Sequence, residues 1–383
     1  MTDPTDRAGS VLEIDLAAIV ANWRLLAGMA APAQCAAVVK ADAYGLGAAR
    51  VAPALAAAGC RIFFVATLDE GTSLRAALGP GPEIAVLNGP LRGAASEFAV
   101  HGLIPVLNEP GQIETWSAFA PHPGPLPARG ERESAREVDA SGQGLGAILH
   151  VDTGMARLGL SRAEFDAVME TPPPVRWRAV MSHLACADAS EHPLNEAQRV
   201  RFAEIRGRLL EVPASLAASS GIFLGPRYHC DLVRPGAALY GVNPRPGGPN
   251  PMRPVVTLRA RILQLREIDR GEPVGYGAAH LMQRPSRLAT AAVGYADGWL
   301  RSFSHRGCGR LAGKRVPLVG RVSMDLASFD VTEVEPHLVH PGATIELLGD
   351  AYGIDEAAND AGTIGYEILT ALGRRYHRVY QPA

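Results

Sequence analysis

Cys35-Ala-Ala-Val-Val-Lys40-Ala-Asp-Ala-Tyr44-Gly-Leu-Gly47 runs from a short apolar strand pattern into a lysine and a glycine-punctuated turn. The chain has only two lysines, Lys40 and Lys314, among 37 Lys+Arg positions in 383 residues; arginine serves everywhere else. A guanidinium stays charged and is no nucleophile, whereas a buried ammonium can lose its proton and condense with a carbonyl. Lys40 is therefore read as a Schiff-base lysine. A strand-end lysine can also simply lay its stem on apolar surface and keep its head in water. The scarcity of lysine and the turn that follows favour the first reading.

Outward from this stretch, short apolar runs alternate with Ala/Leu/Arg-rich segments of helical period, the pattern of repeated βα units. Eight runs are counted: Cys35–Lys40, Ile62–Thr67, Glu83–Asn88, Ile104–Asn108, Ala147–Asp152, Trp177–His183, Ser215–Ser219 and Tyr228–Val233. Eight parallel strands with intervening helices predict an α/β fold, a (β/α)8 TIM barrel whose active site lies at the C-terminal strand ends. Polar residues gather at those ends: Lys40 after the first run, Asp152 to Arg157 after the fifth, His183 after the sixth, Ser219 and Ser220 after the seventh, Arg234 after the eighth.

Beyond Tyr240, the stretch Asn243-Pro-Arg-Pro-Gly-Gly-Pro-Asn-Pro251 reads as a linker. The segments Val255–Leu265, Arg287–Tyr295, Val316–Val322 and Thr344–Leu348 are strand-like, and Thr363–Leu372 is amphipathic and helical. The expected division is a barrel over 1–245 and a mainly-β C-terminal domain over 246–383. A Pro/Gly/charge-rich stretch at about 121–144 cannot supply a buried face and reads as an exposed insertion between the fourth and fifth barrel strands.

A formal net charge of −2 gives no electrostatic case for nucleic acid or an anionic membrane. Five scattered cysteines without a C-x-x-C pair argue against a disulfide framework and a zinc site, so no metal is expected and a reduced, cytoplasmic setting fits. No apolar run reaches the ~18 residues of a membrane span, and the first residues lack a signal core.

The Val-Val-Lys40-Ala-Asp-Ala-Tyr44-Gly-Leu-Gly stretch closely resembles the cofactor-lysine signature of alanine racemases that use pyridoxal 5′-phosphate (PLP). Further blocks resemble that family in order: Val151-Asp-Thr-Gly-Met-Ala-Arg157, Ser182-His183 to Asp188, Val233-Arg234-Pro-Gly-Ala-Ala-Leu-Tyr-Gly241, Val274-Gly-Tyr276-Gly, Gly294-Tyr295-Ala-Asp-Gly298, Gly320-Arg321-Val-Ser-Met324-Asp325 and Thr363-Ile-Gly-Tyr366-Glu. The resemblance covers about residues 10 to 380, apart from the insertion.

It implies a head-to-tail homodimer with shared active sites, interconverting L- and D-alanine and supplying D-alanine for peptidoglycan. Lys40 would carry PLP and act as one acid/base, with Tyr276 of the partner subunit as the other. Racemisation removes a proton from one face of a planar centre and returns one to the opposite face, so two groups must flank it. Lysine and tyrosine, with ordinary pKa values of roughly 10.4 and 10, both need a depressed pKa to act as bases near neutrality.

By the same resemblance Arg234 would donate to the PLP ring nitrogen, where related barrel decarboxylases place an acidic residue, and His183 would link Arg234 to Tyr276 by hydrogen bonds. Tyr44, Ser220, Tyr366 and the amides of Gly236 and Ala237 would hold the phosphate. Arg157 and the Met324 backbone would meet the substrate carboxylate. Asp188, Tyr295, Arg301 and Arg321 match positions of an entrance corridor, although surface salt bridges would explain them equally well.

One position departs from the family. Many members carry a carbamylated lysine where this chain has His150. Histidine forms no such stable carbamate, so Arg157 would need another partner, a bound anion such as chloride or a neutral imidazole nitrogen. A racemase of another small amino acid, such as serine, would share every residue named. A non-enzymatic PLP-binding protein would resemble the barrel half alone.

Overall fold

The computed structural model describes residues 4–119 and 146–383; the expected insertion at about 121–144 lies outside them. Seven parallel strands follow one another in space as in sequence: Ala37–Val38, Ile62–Val65, Glu83–Val86, Ile104–Leu107, Ala147–His150, Trp177–Met181 and Ala214–Ser215. An eighth, Leu232–Val233, pairs in parallel with Gln34–Cys35. Backbone bonds from Ala36 N to Val233 O and from Val38 N to Pro235 O join it to the first strand, and bonds from Asp231 N to Ala214 O and Arg234 N to Ala217 O join it to the seventh, all at 2.9 Å. These bonds close the ring into the expected barrel.

The strands read as unbroken apolar runs because helices cover one face and the barrel interior the other; Ile104–Leu107 and Ala147–His150 are buried at every position. The last two depart from the expected runs. Ser219 already opens the short helix Ser219–Ile222, and Tyr228 ends a 3₁₀ turn, Pro226–Tyr228. Helix starts follow local chemistry: Thr67 and Glu70 form a capping box for Leu68–Leu78, as Ser161 and Glu164 do for Arg162–Glu170.

The second sheet has eight strands in the order Ser286–Ala291, Ala327–Asp330, Lys314–Val319, Cys308–Leu311, Thr344–Leu348, Val256–Ile268, Ser10–Asp15 and His377–Gln381. The 13-residue strand Val256–Ile268 also pairs with Ser286–Ala291 across a register shift, which bends it so that the first six strands close on themselves. One strand lies across the division expected at residue 245. Ser10–Asp15 runs antiparallel to Val256–Ile268, with Leu12 opposite Leu258, and parallel to His377–Gln381. Its alternating burial suits a place within that sheet.

Two helices of the C-terminal half, Ile354–Ala361 and Gly365–Ala371, lie over the C-terminal ends of the barrel strands and help line the cavity there. At Gly45, with φ +84°, a Cβ would meet Leu369 O at 2.5 Å, so only glycine permits this approach. Arg378 Nη1 donates to Gly45 O at 2.7 Å and Tyr380 Oη to Leu46 O at 3.1 Å.

Candidate active site

A cavity of about 1360 Å³ opens at the barrel mouth. It gathers Lys40, Tyr44, His150, Arg157, His183, Asp188, Ser220, Arg234, Gly236, Ala237 and Tyr366, residues from opposite ends of the chain.

Lys40 directly follows the first strand and is half-buried. Burial lowers its pKa, the Arg157 charge lowers it further, and Glu70 opposes both. The next four residues, Ala41, Asp42, Ala43 and Tyr44, have φ of 52°, 54°, 56° and 54°, a turn of left-handed helix containing no glycine. Such a conformation costs about 1–2 kcal/mol per residue, so the surroundings must enforce it. They do: Glu70 Oε1 accepts Ala41 N–H and Asp42 Oδ1 accepts Ala48 N–H, both at 2.7 Å.

The left-handed turn aims Tyr44 across the mouth, its ring 4.8 Å from Tyr240 and 6.0 Å from Tyr366. Burial raises its pKa and keeps the phenol protonated. A Cβ on Gly236 would sit 2.4 Å from the Tyr44 hydroxyl, so this glycine leaves the space the hydroxyl occupies. The Gly236 and Ala238 amides both donate to Ser219 Oγ, at 3.0 and 3.2 Å. Ser219 and Ser220 both line the cavity, and the Ser220 side chain has no hydrogen bond among the described residues.

Arg234 is buried, donating to Ser215 Oγ at 2.5 Å and Ser182 O at 2.8 Å; burial lowers its pKa to about 10. His183 is pushed down to about 3 by burial and then by the Arg234, Arg157, His150 and Lys40 charges, so its ring is neutral. Its ring has no hydrogen-bond partner among the described residues, so the expected link from His183 to Arg234 is absent in the single chain.

Arg157 is exposed to the cavity and has no acceptor among the described residues. Its loop is shaped by Asp152, whose carboxylate accepts the amides of Gly154, Met155 and Ala156 at 2.8–2.9 Å. Burial alone would raise the Asp152 pKa; those three donors outweigh it and lower the pKa. His150 contacts Asn108 through a hydrogen bond of 2.7 Å, and both are buried.

Tyr276, Met324, Tyr295, Arg301 and Arg321 do not reach this cavity; all five are exposed on the C-terminal half, Tyr276 at 72%. Arg321 lies beside the Tyr276 turn, its guanidinium 3.1 Å from where a Gly277 Cβ would be. The residue patterns gave no site role to Glu70, Asn108 or Ser215. Glu70 had a signal in the Thr67-x-x-Glu70 capping box, and Asn108 in ending a strand run with a polar residue, as Lys40 and His183 do.

Lys40, Arg157 and Arg234 bring three cationic groups to the cavity, whose lining also holds Asp188, Asp355 and Glu367, and the Lys40 amine is half-buried with a lowered pKa. That donor set fits an anionic ligand bearing a carbonyl. Phosphate and aldehyde on one small ring satisfy both demands, and the Tyr44–Gly236 cradle gives the phosphate a hydroxyl neighbour. Fold and site together define a lysine-bearing barrel enzyme with its functional face under the C-terminal helices.

Family models for the alanine racemase N-terminal and C-terminal domains match residues 14–244 and 255–380. An alanine racemase of Rhodospirillum rubrum is 50% identical over 379 residues, 98% of this chain and 96% of its own. A catabolic alanine racemase of Mesorhizobium japonicum is 48% identical over 376 residues, 97% and 93% of the two chains. The crystal structure of alanine racemase from Bartonella henselae with covalently bound pyridoxal phosphate superposes with a TM-score of 0.89 at 40% identity, covering 98% of this chain and 100% of that one. The chain belongs to the alanine racemase family.

Proposed function

We propose that this protein interconverts L- and D-alanine with PLP held at the barrel mouth, in the cytoplasm, as a homodimer that supplies D-alanine for peptidoglycan, with no nucleic acid or membrane as partner. The observation that carries it is the Lys40 amine, of lowered proton affinity, in the cavity at the strand ends with Arg157 and Arg234 on the same lining. PLP, when bound, supplies the electron sink that makes an amino acid's α-proton removable.

The chain's residues do the rest. Lys40 attaches the cofactor and moves a proton on one face of the substrate. Tyr276 of the partner subunit serves the other face; its exposure in the single chain leaves it free to reach a second copy. Arg157, without a carboxylate partner among the described residues, binds the substrate carboxylate together with the backbone of Met324 of the partner subunit, since the chain's own Met324 lies outside the cavity. Tyr44, Ser220, Tyr366 and the amides of Gly236 and Ala237 take the phosphate, the Gly236 amide once it turns from Ser219 Oγ.

Arg234 would donate to the ring nitrogen of PLP; a fixed cation there would keep that nitrogen unprotonated, limiting the sink and favouring return of a proton over breaking a carbon–carbon bond. Asp188, on the cavity lining, forms the way in together with Tyr295 of the partner subunit, Arg301 of the partner subunit and Arg321 of the partner subunit.

Chiral chromatography of L-alanine incubated with the purified holoenzyme tests this, with L-serine and Lys40→Ala in parallel. D-alanine from the unaltered protein and none from the variant is the expected result, since a positioned base contributes about 10²–10⁴-fold. Faster turnover of serine, or release of CO2, would replace the alanine reading.

A further inference from the structure

The left-handed turn after Lys40 is tied down at its first residue by a side chain from another βα unit. Glu70, in the first turn of Leu68–Leu78, accepts Ala41 N–H at Oε1 and Ala66 N–H at Oε2, each at 2.7 Å. One carboxylate thus joins the residue after Lys40 to the residue after the neighbouring strand Ile62–Val65. Bonds from backbone N–H to an ionised carboxylate are short and strong. Asp42, the other carboxylate in the turn, is committed to Ala48 N–H.

We propose that Glu70 is the positioning residue of Lys40: by holding the Ala41 amide it fixes where the left-handed turn begins and the direction in which the lysine side chain leaves the barrel, and it places a negative charge within electrostatic reach of the amine. This rests on Lys40 being the cofactor lysine. The charged and titratable groups around the amine are Arg157 from the loop after Ala147–His150, His183 from the end of Trp177–Met181, and Glu70. Glu70 alone among them favours the ammonium form.

Glu70→Gln is the discriminating variant. An amide offers one acceptor oxygen and sets an NH2 against the other backbone donor, and it removes the charge. In the holoenzyme, kcat falls about ten-fold, the size expected for one charge-assisted bond, and the absorbance band of the lysine-linked cofactor titrates at lower pH. Thr67→Ala, which strips the helix cap from the same turn without touching Ala41, lowers Tm and leaves kcat and the band where they were.

The two lysines give a second readout that needs no catalysis. Amine labelling of the full chain freed of cofactor, read by peptide mass spectrometry with Lys314 as internal reference, reports Lys40 reactivity directly. In Glu70→Gln the Lys40:Lys314 labelling ratio at pH 7 rises. If Glu70→Gln does not fold, Glu70→Asp retains the charge but shortens the reach, and keeps the ratio while kcat falls. Unaltered ratio, band and kcat in a folded Glu70→Gln protein overturn the proposal. Absence of racemisation in the unaltered enzyme would instead refute the alanine reading, and the labelling ratio would still judge Glu70.

Discussion

His150 Nδ1 lies 2.7 Å from Asn108 Oδ1, with both side chains buried under the barrel mouth. Asn108 Nδ2 is committed to the carbonyls of Leu87 and Val106, both at 2.9 Å, so the amide oxygen faces the ring. His150 must therefore carry its proton on Nδ1 and leave a lone pair on Nε2. Burial first and then the Arg234 charge lower its pKa to about 4, Asp152 opposing them and Arg157 adding a smaller push downward. The neutral Nε2 lone pair lies within electrostatic reach of Arg157, although no hydrogen bond joins the two among the described residues.

Asn108→Asp tests that pairing. A carboxylate against Nδ1 stabilises the imidazolium by about one to three pKa units, and a cationic ring then faces Arg157. KM for alanine is expected to rise about ten-fold at pH 6 and less at pH 8, with a smaller change in kcat. A KM that does not vary with pH in this variant would separate His150 from Arg157. The intact mass of the cofactor-free chain should equal the sequence mass, without a carbamate.

The same ring predicts acid sensitivity. An unfolded histidine binds a proton below about 6.5, whereas His150 resists it down to about 4. The unfolded state thus holds more protons within that window, so stability is complete above 6.5 and is lost as pH falls toward 4. At about 1.4 kcal/mol per unit, the gap corresponds to about 3 kcal/mol. Urea titrations of the unaltered protein and His150→Gln at pH 7.5 and 4.5 check it, the variant showing the smaller drop.

Gly236→Ala should loosen the cofactor. Its Cβ would stand 2.4 Å from Tyr44 Oη and 3.3 Å from Val38 Cβ, and the Tyr44 ring is packed against Tyr240. A displaced hydroxyl and one lost hydrogen bond of about 1 kcal/mol or more predict PLP affinity lower by about ten-fold, read by equilibrium dialysis. Combining it with Tyr44→Phe should cost less than the two single losses added, because both act on one contact.

Sharing of the site between subunits is tested by mixing. Lys40→Ala and Tyr276→Phe chains are each inactive alone, but a mixed dimer holds one site with both residues intact. Random exchange gives half the dimers in this form, so activity should recover to roughly a quarter of the unaltered level. No recovery after exchange shown by native mass spectrometry would place Tyr276 outside the partner's site.

The barrel was legible because βα units impose a local period, and the strand-end lysine because lysine is so scarce here. Strand ends were harder: the seventh and eighth strands are two residues each, and polar serines and a tyrosine beside them extend the apolar pattern past the pairing. Ser10–Asp15 alternates in burial as a strand should, but nothing local says that its partners lie about 250 and 370 residues away.

Sequence by itself determined the order of βα units, the β-rich second half and the residue types that end up at the barrel mouth, since these follow from short-range periodicity and from side-chain chemistry. Tertiary structure alone decided the left-handed turn at Ala41–Tyr44, which local propensity opposes and Glu70 enforces from the next unit. It also decided the tautomer of His150, set by Asn108 across 42 positions. Both depend on backbone amides and lone pairs finding partners far along the chain, and such partnerships exist only once the ring of strands has closed.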